Sequence, residues 1–203
     1  VIRTGRRRWA LGQVGGIFLR CLALTVLSAL LSVLPFFGRL EPVNVWGRVA
    51  YTIASGRSDA SGFVSQSMAE FRFHYDALTT FTPLELLALT LLLCTLISTF
   101  LGLLMFLLSL YAGKAIAVAV SLGYVLLVYL VQNTSSDLRQ AVSYFVPPYW
   151  AEIALYRTLD YGYYRLPPIS YMLIFLLTAI AVMTLLICLR VKRVEFHWEH
   201  EDA

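Results

Sequence analysis

The sequence predicts an all-α integral membrane protein with four transmembrane helices, and three observations lead to that class. The chain has 203 residues, of which 59% are hydrophobic and only 14% are charged. Soluble domains carry roughly 25% charged residues, and the mean hydropathy here is +0.73. Four apolar stretches are each long enough for a helix to cross about 30 Å of hydrocarbon. We therefore expect a protein embedded in a bilayer.

The clearest of the four stretches runs from Leu86 to Ala112 and contains no charged residue. The preceding Thr82-Pro83-Leu84-Glu85 has a hydroxyl at the N-cap, proline at the first helical position and glutamate three residues after the cap. This pattern is typical of a capping box. Gly113 and Lys114 follow, a permissive residue and a cation that suit a helix C-terminus. The sequence therefore predicts one long helix with two defined ends.

Small side chains recur along this central helix at positions i, i+4 and i+8, namely Cys94, Ser98 and Gly102. Such a strip lets a second helix approach closely inside a membrane. The alternative is that small residues fall at this spacing by chance. We interpret the strip as a helix-packing surface.

The same hydropathy pattern divides the rest of the chain. Arg20, near the start of the first span, is expected to extend its side chain to the headgroups. Leu11 to Leu19 could form a short interfacial helix. The segment 133–168, which is rich in aromatic residues, could be an interfacial helix or an ordinary folded loop. The predicted segments are a cytoplasmic basic segment (1–16), a span (17–37), an extracellular loop (38–81), a span (82–112), a cytoplasmic turn (113–114), a span (115–132), an extracellular aromatic segment (133–168), a span (169–189) and a cytoplasmic tail (190–203).

The distribution of basic residues predicts the orientation of the spans. One side of the predicted bundle receives nine basic residues close to span ends: Arg3, Arg6, Arg7, Arg8, Arg20, Lys114, Arg190, Lys192 and Arg193. The other side receives seven arginines spread over longer loops that also carry acidic residues. Because basic residues accumulate on the cytoplasmic side, we expect both termini and the 113–114 turn in the cytoplasm.

Residue patterns for catalysis are missing from the sequence. It contains no G-x-x-x-x-G-K-[ST] loop for nucleotide phosphates and no G-x-S-x-G or H-E-x-x-H motif. The three cysteines lie inside apolar runs, without metal-ligand spacing. We expect no catalytic residue, no metal and no bound cofactor. The basic residues flank apolar spans, so membrane lipid is the expected partner and nucleic acid is not.

Taken together, the layout resembles the later two thirds of a bacterial ABC-2 type transporter permease. The likeness rests on a basic R-x-G-x-R-x-x-W segment before a span, a T-P-L-E-opened span that turns through glycine into the next, a P-P-x-W-A segment and a basic, then acidic tail. That family has six membrane helices, so the resemblance implies two further helices before Val1. It also implies export across the cell membrane by a homo- or heterodimer of permease halves, with ATP and Mg bound by separate ABC ATPase subunits.

The resemblance also assigns roles to two groups of residues. The segment that docks on the ATPase would be matched by Arg3, Gly5, Arg6, Arg7, Arg8 and Trp9. The outer segment before the last helix would be matched by Pro147, Pro148, Tyr149, Trp150 and Ala151. Two other classes of function stay open at this point: a non-transporting scaffold that anchors another complex, and a membrane enzyme with its site in the aromatic loops.

Overall fold

The computed structural model describes residues 5–39, 43–54, 75–160 and 162–191. In these residues it contains seven α-helices, several 3₁₀ turns and one two-stranded hairpin. The helices are α1 (Arg6–Val33), α2 (Arg48–Ala54), α3 (Tyr75–Thr80), α4 (Pro83–Ala112), α5 (Lys114–Gln132), α6 (Ser136–Ser143) and α7 (Ile169–Val191). The 3₁₀ turns are Leu34–Arg39, Pro147–Ala151 and Ile153–Leu155, and strands β1 (Leu159–Asp160) and β2 (Tyr163–Tyr164) pair antiparallel.

Four of these helices are long and apolar enough to cross a membrane, as the sequence predicts: α1, α4, α5 and α7. At about 1.5 Å of rise per residue, the 19 residues of α5 extend about 28 Å, close to the thickness of a bilayer core. The 30 residues of α4 extend about 45 Å. The chain is therefore a multi-pass membrane protein.

Helix α4 has the two ends that its sequence predicts. The Thr82 hydroxyl accepts a hydrogen bond from the Glu85 backbone N–H at 3.4 Å, and the Thr82 backbone N–H donates to the Glu85 carboxylate at 2.9 Å. This reciprocal pair is a capping box and satisfies two donors that the first turn leaves open. At the other end Gly113 has a φ of +92°, which glycine adopts without strain. The turn into α5 is a single residue.

Two buried threonines show how α4 carries hydroxyls through an apolar environment. Thr95 Oγ1 donates to the Leu91 carbonyl oxygen at 2.8 Å, and Thr99 Oγ1 donates to the Thr95 carbonyl oxygen at 2.7 Å. Each hydroxyl thus finds its partner four residues back on its own helix. Neither side chain needs water or another helix to satisfy it.

Helix α4 is the centre of the bundle and packs against α1, α5 and α7. The approach of α1 is close at Gly102, where an added Cβ would lie 2.7 Å from Ile17 Cγ2. Only a residue without a side chain fits at that distance, so Gly102 of the predicted packing strip does face a neighbouring helix. Cys94 and Ser98 are partly buried.

The structure differs from the sequence-based segments in two respects. Helix α1 is continuous from Arg6 to Val33, so no separate interfacial helix from Leu11 to Leu19 precedes the first span. The fold is also not purely helical, because β1 and β2 form a small hairpin within the aromatic segment. The predicted tail beyond Val191 and most of the 38–81 loop lie outside the described residues.

We predict that Gly102→Ala lowers the free energy of unfolding, by about 1–3 kcal/mol, because its Cβ overlaps Ile17. The matched control is Gly123→Ala in α5, where nothing lies within 4 Å of an added Cβ. This control should be neutral or up to about 1 kcal/mol more stable, since alanine favours helices. Thermal unfolding in detergent measures both variants. Adding Ile17→Ala should restore part of the loss, and equal stability of the two alanine variants would contradict the close contact.

Candidate functional site

The first turn of α1 brings three arginines to one end of the bundle. Gly5, with a φ of +75°, precedes Arg6, Arg7 and Arg8. The ring of Trp9 lies against Phe106 of α4, with 6.4 Å between ring centroids. The next residue, Ala10, is fully buried. The basic turn is therefore attached directly to the packed core, and Arg3 lies outside the described residues.

Two other cations lie at the same end of the molecule. Lys114 is exposed at the start of α5, directly after the turn that ends α4. The guanidinium carbon of Arg190, in the last turn of α7, lies 4.7 Å from the centroid of the Tyr111 ring. This is the geometry of a cation–π interaction. We call this end of the bundle, where the first turn of α1 (Arg6–Arg8), Lys114 and Arg190 lie, the basic end.

The opposite end of the bundle is covered by residues 133–160 and 162–168, which we call the aromatic cap. At its centre, the turn Pro147–Ala151 buries Tyr149 and Trp150 almost completely. The indole N–H of Trp150 donates to the Ser143 carbonyl oxygen at 2.7 Å. The indole ring stands edge-on to Phe175 of α7, with centroids 5.4 Å apart. The predicted outer segment is thus part of the folded core.

Side-chain hydrogen bonds hold the cap on the membrane helices. Tyr124 of α5 donates to the Phe145 carbonyl oxygen at 2.6 Å, and Tyr171 of α7 donates to the Tyr144 carbonyl oxygen at 3.2 Å. The guanidinium of Arg139 donates to carbonyl oxygens at and just beyond the end of α5, those of Val131, Gln132 and Thr134. A helix C-terminus leaves such carbonyls open, so Arg139 acts as a cap for α5.

A polar cluster lies where the cap meets the end of α5. The Gln132 amide donates to the Glu152 carboxylate, and Arg165 is the nearby cation. Burial raises the pKa of Glu152 above its usual value, although the hydrogen bond from Gln132 and the charge of Arg165 both act to lower it. Glu152 is consequently a carboxyl that favours its protonated form more than an exposed glutamate does.

The cap also contains an open cleft of about 310 Å³ lined by tyrosines, Gln140 and Arg157. Arg157 has a φ of +61°, which costs a non-glycine residue about 1–3 kcal/mol. Two backbone hydrogen bonds flank this residue, from Tyr156 N–H to the Ile153 carbonyl and from Thr158 N–H to the Leu155 carbonyl, at 2.9 and 3.1 Å. The surrounding turns therefore hold Arg157 in an unfavourable conformation.

Arg20 lies deeper in the bundle than the sequence suggests. Gly102 is ten residues from the end of α4, about 15 Å from the basic end, and Ile17 of α1 contacts it. Arg20 follows nearly one turn later, roughly 20 Å from the basic end. Because α1 begins at Arg6, Arg20 lies nearly four turns from the start of the helix, whereas the sequence-based segments place it less than one turn inside the first span.

The structure separates the predicted functional residues into two groups. Gly5 to Trp9 gather with Lys114 and Arg190 at the basic end, whereas Pro147 to Ala151 lie at the opposite end. Sequence reasoning missed the pairing of Gln132 with Glu152, whose side chains meet across 20 residues of chain. It also missed the capping role of Arg139, since nothing in the local pattern points an arginine back at α5.

Comparison with known proteins adds no family to this description. No protein-family model, no curated protein and no solved structure matches the chain.

We predict that Glu152→Gln removes part of the pH dependence of stability. Because the folded state raises the pKa of Glu152, it binds the proton more tightly than the unfolded state does. The stability of the unaltered chain should therefore fall as pH rises from the ordinary glutamate pKa of 4.5 through the raised pKa of Glu152. Melting temperatures across that range, with Asp137→Asn in the same cap as control, measure the difference. A Glu152→Gln profile parallel to that of the unaltered chain would contradict the prediction.

Proposed function

We propose that this chain is the membrane permease subunit of an ATP-driven exporter of the ABC-2 type in the cell membrane. Two permease halves would act with two separate ATPase chains, which bind ATP and Mg. In this proposal the basic end faces the cytoplasm and receives the ATPase. The observation that carries it is the attachment of the basic first turn of α1 to the core through Trp9 and Ala10.

The packing around Trp9 supports a mechanical role for the basic turn. A force applied to Arg6, Arg7 and Arg8 acts on a helix whose next residues are packed against α4. Helix α1 then contacts α4 again at Gly102 and also packs against α7. Because packed helices move as rigid bodies, a displacement of the basic turn would tilt the bundle and expose a path alternately to either side.

The chemistry of the basic turn suits a protein partner. Arginine presents several donors in a planar fork that matches carboxylates and backbone carbonyls. Anionic lipid offers the same cluster phosphate oxygens, so a scaffold without transport activity would need only the membrane. Binding of a nucleotide-hydrolysing subunit separates the two functions, since a scaffold has no need of one.

We predict that replacing Arg6, Arg7 and Arg8 together with alanine detaches the ATPase. The experiment co-expresses this chain with the ABC ATPase subunits of its native host, and measures which of them co-purifies and how fast it turns over ATP. Arg48→Ala, which removes a positive charge from α2, is the control. Both readings should fall at least about tenfold for the triple variant, since each lost charged hydrogen bond is worth about 1.5–3 kcal/mol. Unchanged co-purification and turnover would refute ATPase docking at the basic turn.

We predict a different result for Trp9→Ala. This variant keeps the three arginines but removes the ring that packs on Phe106. Loss of a packed tryptophan costs about 3–5 kcal/mol when the side chain is fully buried, and less here because Trp9 is half-buried. The ATPase should still co-purify, while ATP turnover no longer responds to the permease. Loss of co-purification with a folded bundle would instead assign Trp9 to docking.

A further inference from the structure

Arg20 carries a charge inside the apolar part of the bundle. Its side chain is exposed on the flank of α1, and it has no hydrogen bond or ion pair within the part of the chain that the structure describes. Helix α5, about 28 Å long, marks the apolar layer from Lys114 to Gln132. At roughly 20 Å from the basic end, Arg20 lies within that layer. A charge at such a depth almost always faces protein or water.

The Arg20 side chain is poorly placed to bring its charge to the lipid headgroups. Side chains on a helix tilt toward its N-terminus, which for α1 is the basic end. That direction leads Arg20 toward the middle of the layer, where an arginine side chain covers only part of the roughly 20 Å to the basic end. The headgroups at the opposite boundary are nearer, roughly 8 Å away, but they lie against this tilt. The flank of α1 that carries Arg20 is therefore unsuited to contact with lipid chains.

A second polar side chain extends the same flank toward the basic end. Gln13 is exposed and precedes Arg20 by seven residues, which places both within about 20° of each other around the helix. Gly16 lies between them. Leu19, by contrast, is 62% exposed and lies about 100° around the helix from Arg20. Helix α1 thus has a polar flank and an apolar one at the same depth.

We propose that the polar flank of α1, formed by Gln13, Gly16 and Arg20, lines a water-filled path through the membrane that admits anionic cargo. The inference rests on the proposed transport function and specifies its substrate class. Arginine stays charged at every physiological pH, and no carboxylate compensates Arg20 among the described residues. An anionic group on the cargo would supply the missing charge as it passes. Gln13 would offer it an amide donor nearer the basic end.

Cysteine accessibility tests whether water reaches this flank. Arg20→Cys and Leu19→Cys are made in a chain whose native cysteines, Cys21, Cys94 and Cys188, are alanine. Each variant is embedded in phosphatidylcholine nanodiscs and treated with a charged methanethiosulfonate. We expect position 20 to react at least about tenfold faster than position 19, because ions do not enter hydrocarbon. Equal, slow reaction at both positions would place Arg20 in lipid and overturn the proposal.

Charge selectivity tests the class of cargo. Gln13→Cys, with Arg20 present, is treated with a sulfonate-bearing and with a trimethylammonium-bearing methanethiosulfonate. For each variant we take the rate of modification by the sulfonate reagent divided by the rate with the trimethylammonium reagent. This ratio should be about tenfold higher for Gln13→Cys than for the Gln13→Cys/Arg20→Gln double variant, since Arg20 attracts the sulfonate. An unchanged ratio would overturn the anionic assignment. A buried carboxylate from a partner subunit facing Arg20 would give that same result.

A second measurement guards against a cysteine-free chain that does not fold. Arg20→Leu in the otherwise unaltered chain should leave the melting temperature in nanodiscs unchanged or lower, whereas a lipid-facing arginine should gain stability on becoming leucine. A clear rise would overturn the proposal. None of these experiments includes an ATPase. The proposal of a water-filled path and the proposal of ATPase docking can therefore be refuted independently of each other.

Discussion

The close approach of α1 to α4 at Gly102 determines where the charges of this protein lie. With no side chain at that position, Ile17 sits directly against the backbone of α4. The contact fixes the axial position of α1 relative to the central helix. Trp9 thereby reaches Phe106 near the basic end, and Arg20 is carried into the apolar layer. One missing methyl group thus links the packing of the bundle to both proposed functional regions.

The sequence predicts the membrane helices well because each has strong local signals. The capping box at Thr82 and Glu85 and the turn at Gly113 depend only on neighbouring residues, and the structure contains both. The start of α1 is harder to predict, because glycines and charges before residue 17 argue against a helix in a soluble setting. Tertiary contacts of Trp9, Ala10 and Ile17 override that preference.

The candidate sites, too, differ in whether they depend on local sequence or on tertiary contacts. A run of arginines beside a span is visible in the sequence, so the basic end follows from local composition alone. The depth of Arg20 does not, since it depends on how far α1 extends and on which residue of α4 it meets. The aromatic cap is similar: its tyrosines and Trp150 suggest an interface, yet their burial follows from contacts with α7 that are distant in sequence.

The unequal lengths of α4 and α5 have a consequence for the bilayer itself. The two helices meet at one glycine, but α4 has 30 residues and α5 has 19, so α4 overhangs its neighbour by roughly 16 Å. Turns of the cap pack against α4, while Leu84, Leu87 and Leu92 in the overhanging part stay exposed. A thicker membrane could engulf part of the overhang, whereas α5 has no spare length. Changes in lipid chain length would therefore strain the packing of the cap on the bundle, so the conformation of this protein should depend on membrane thickness.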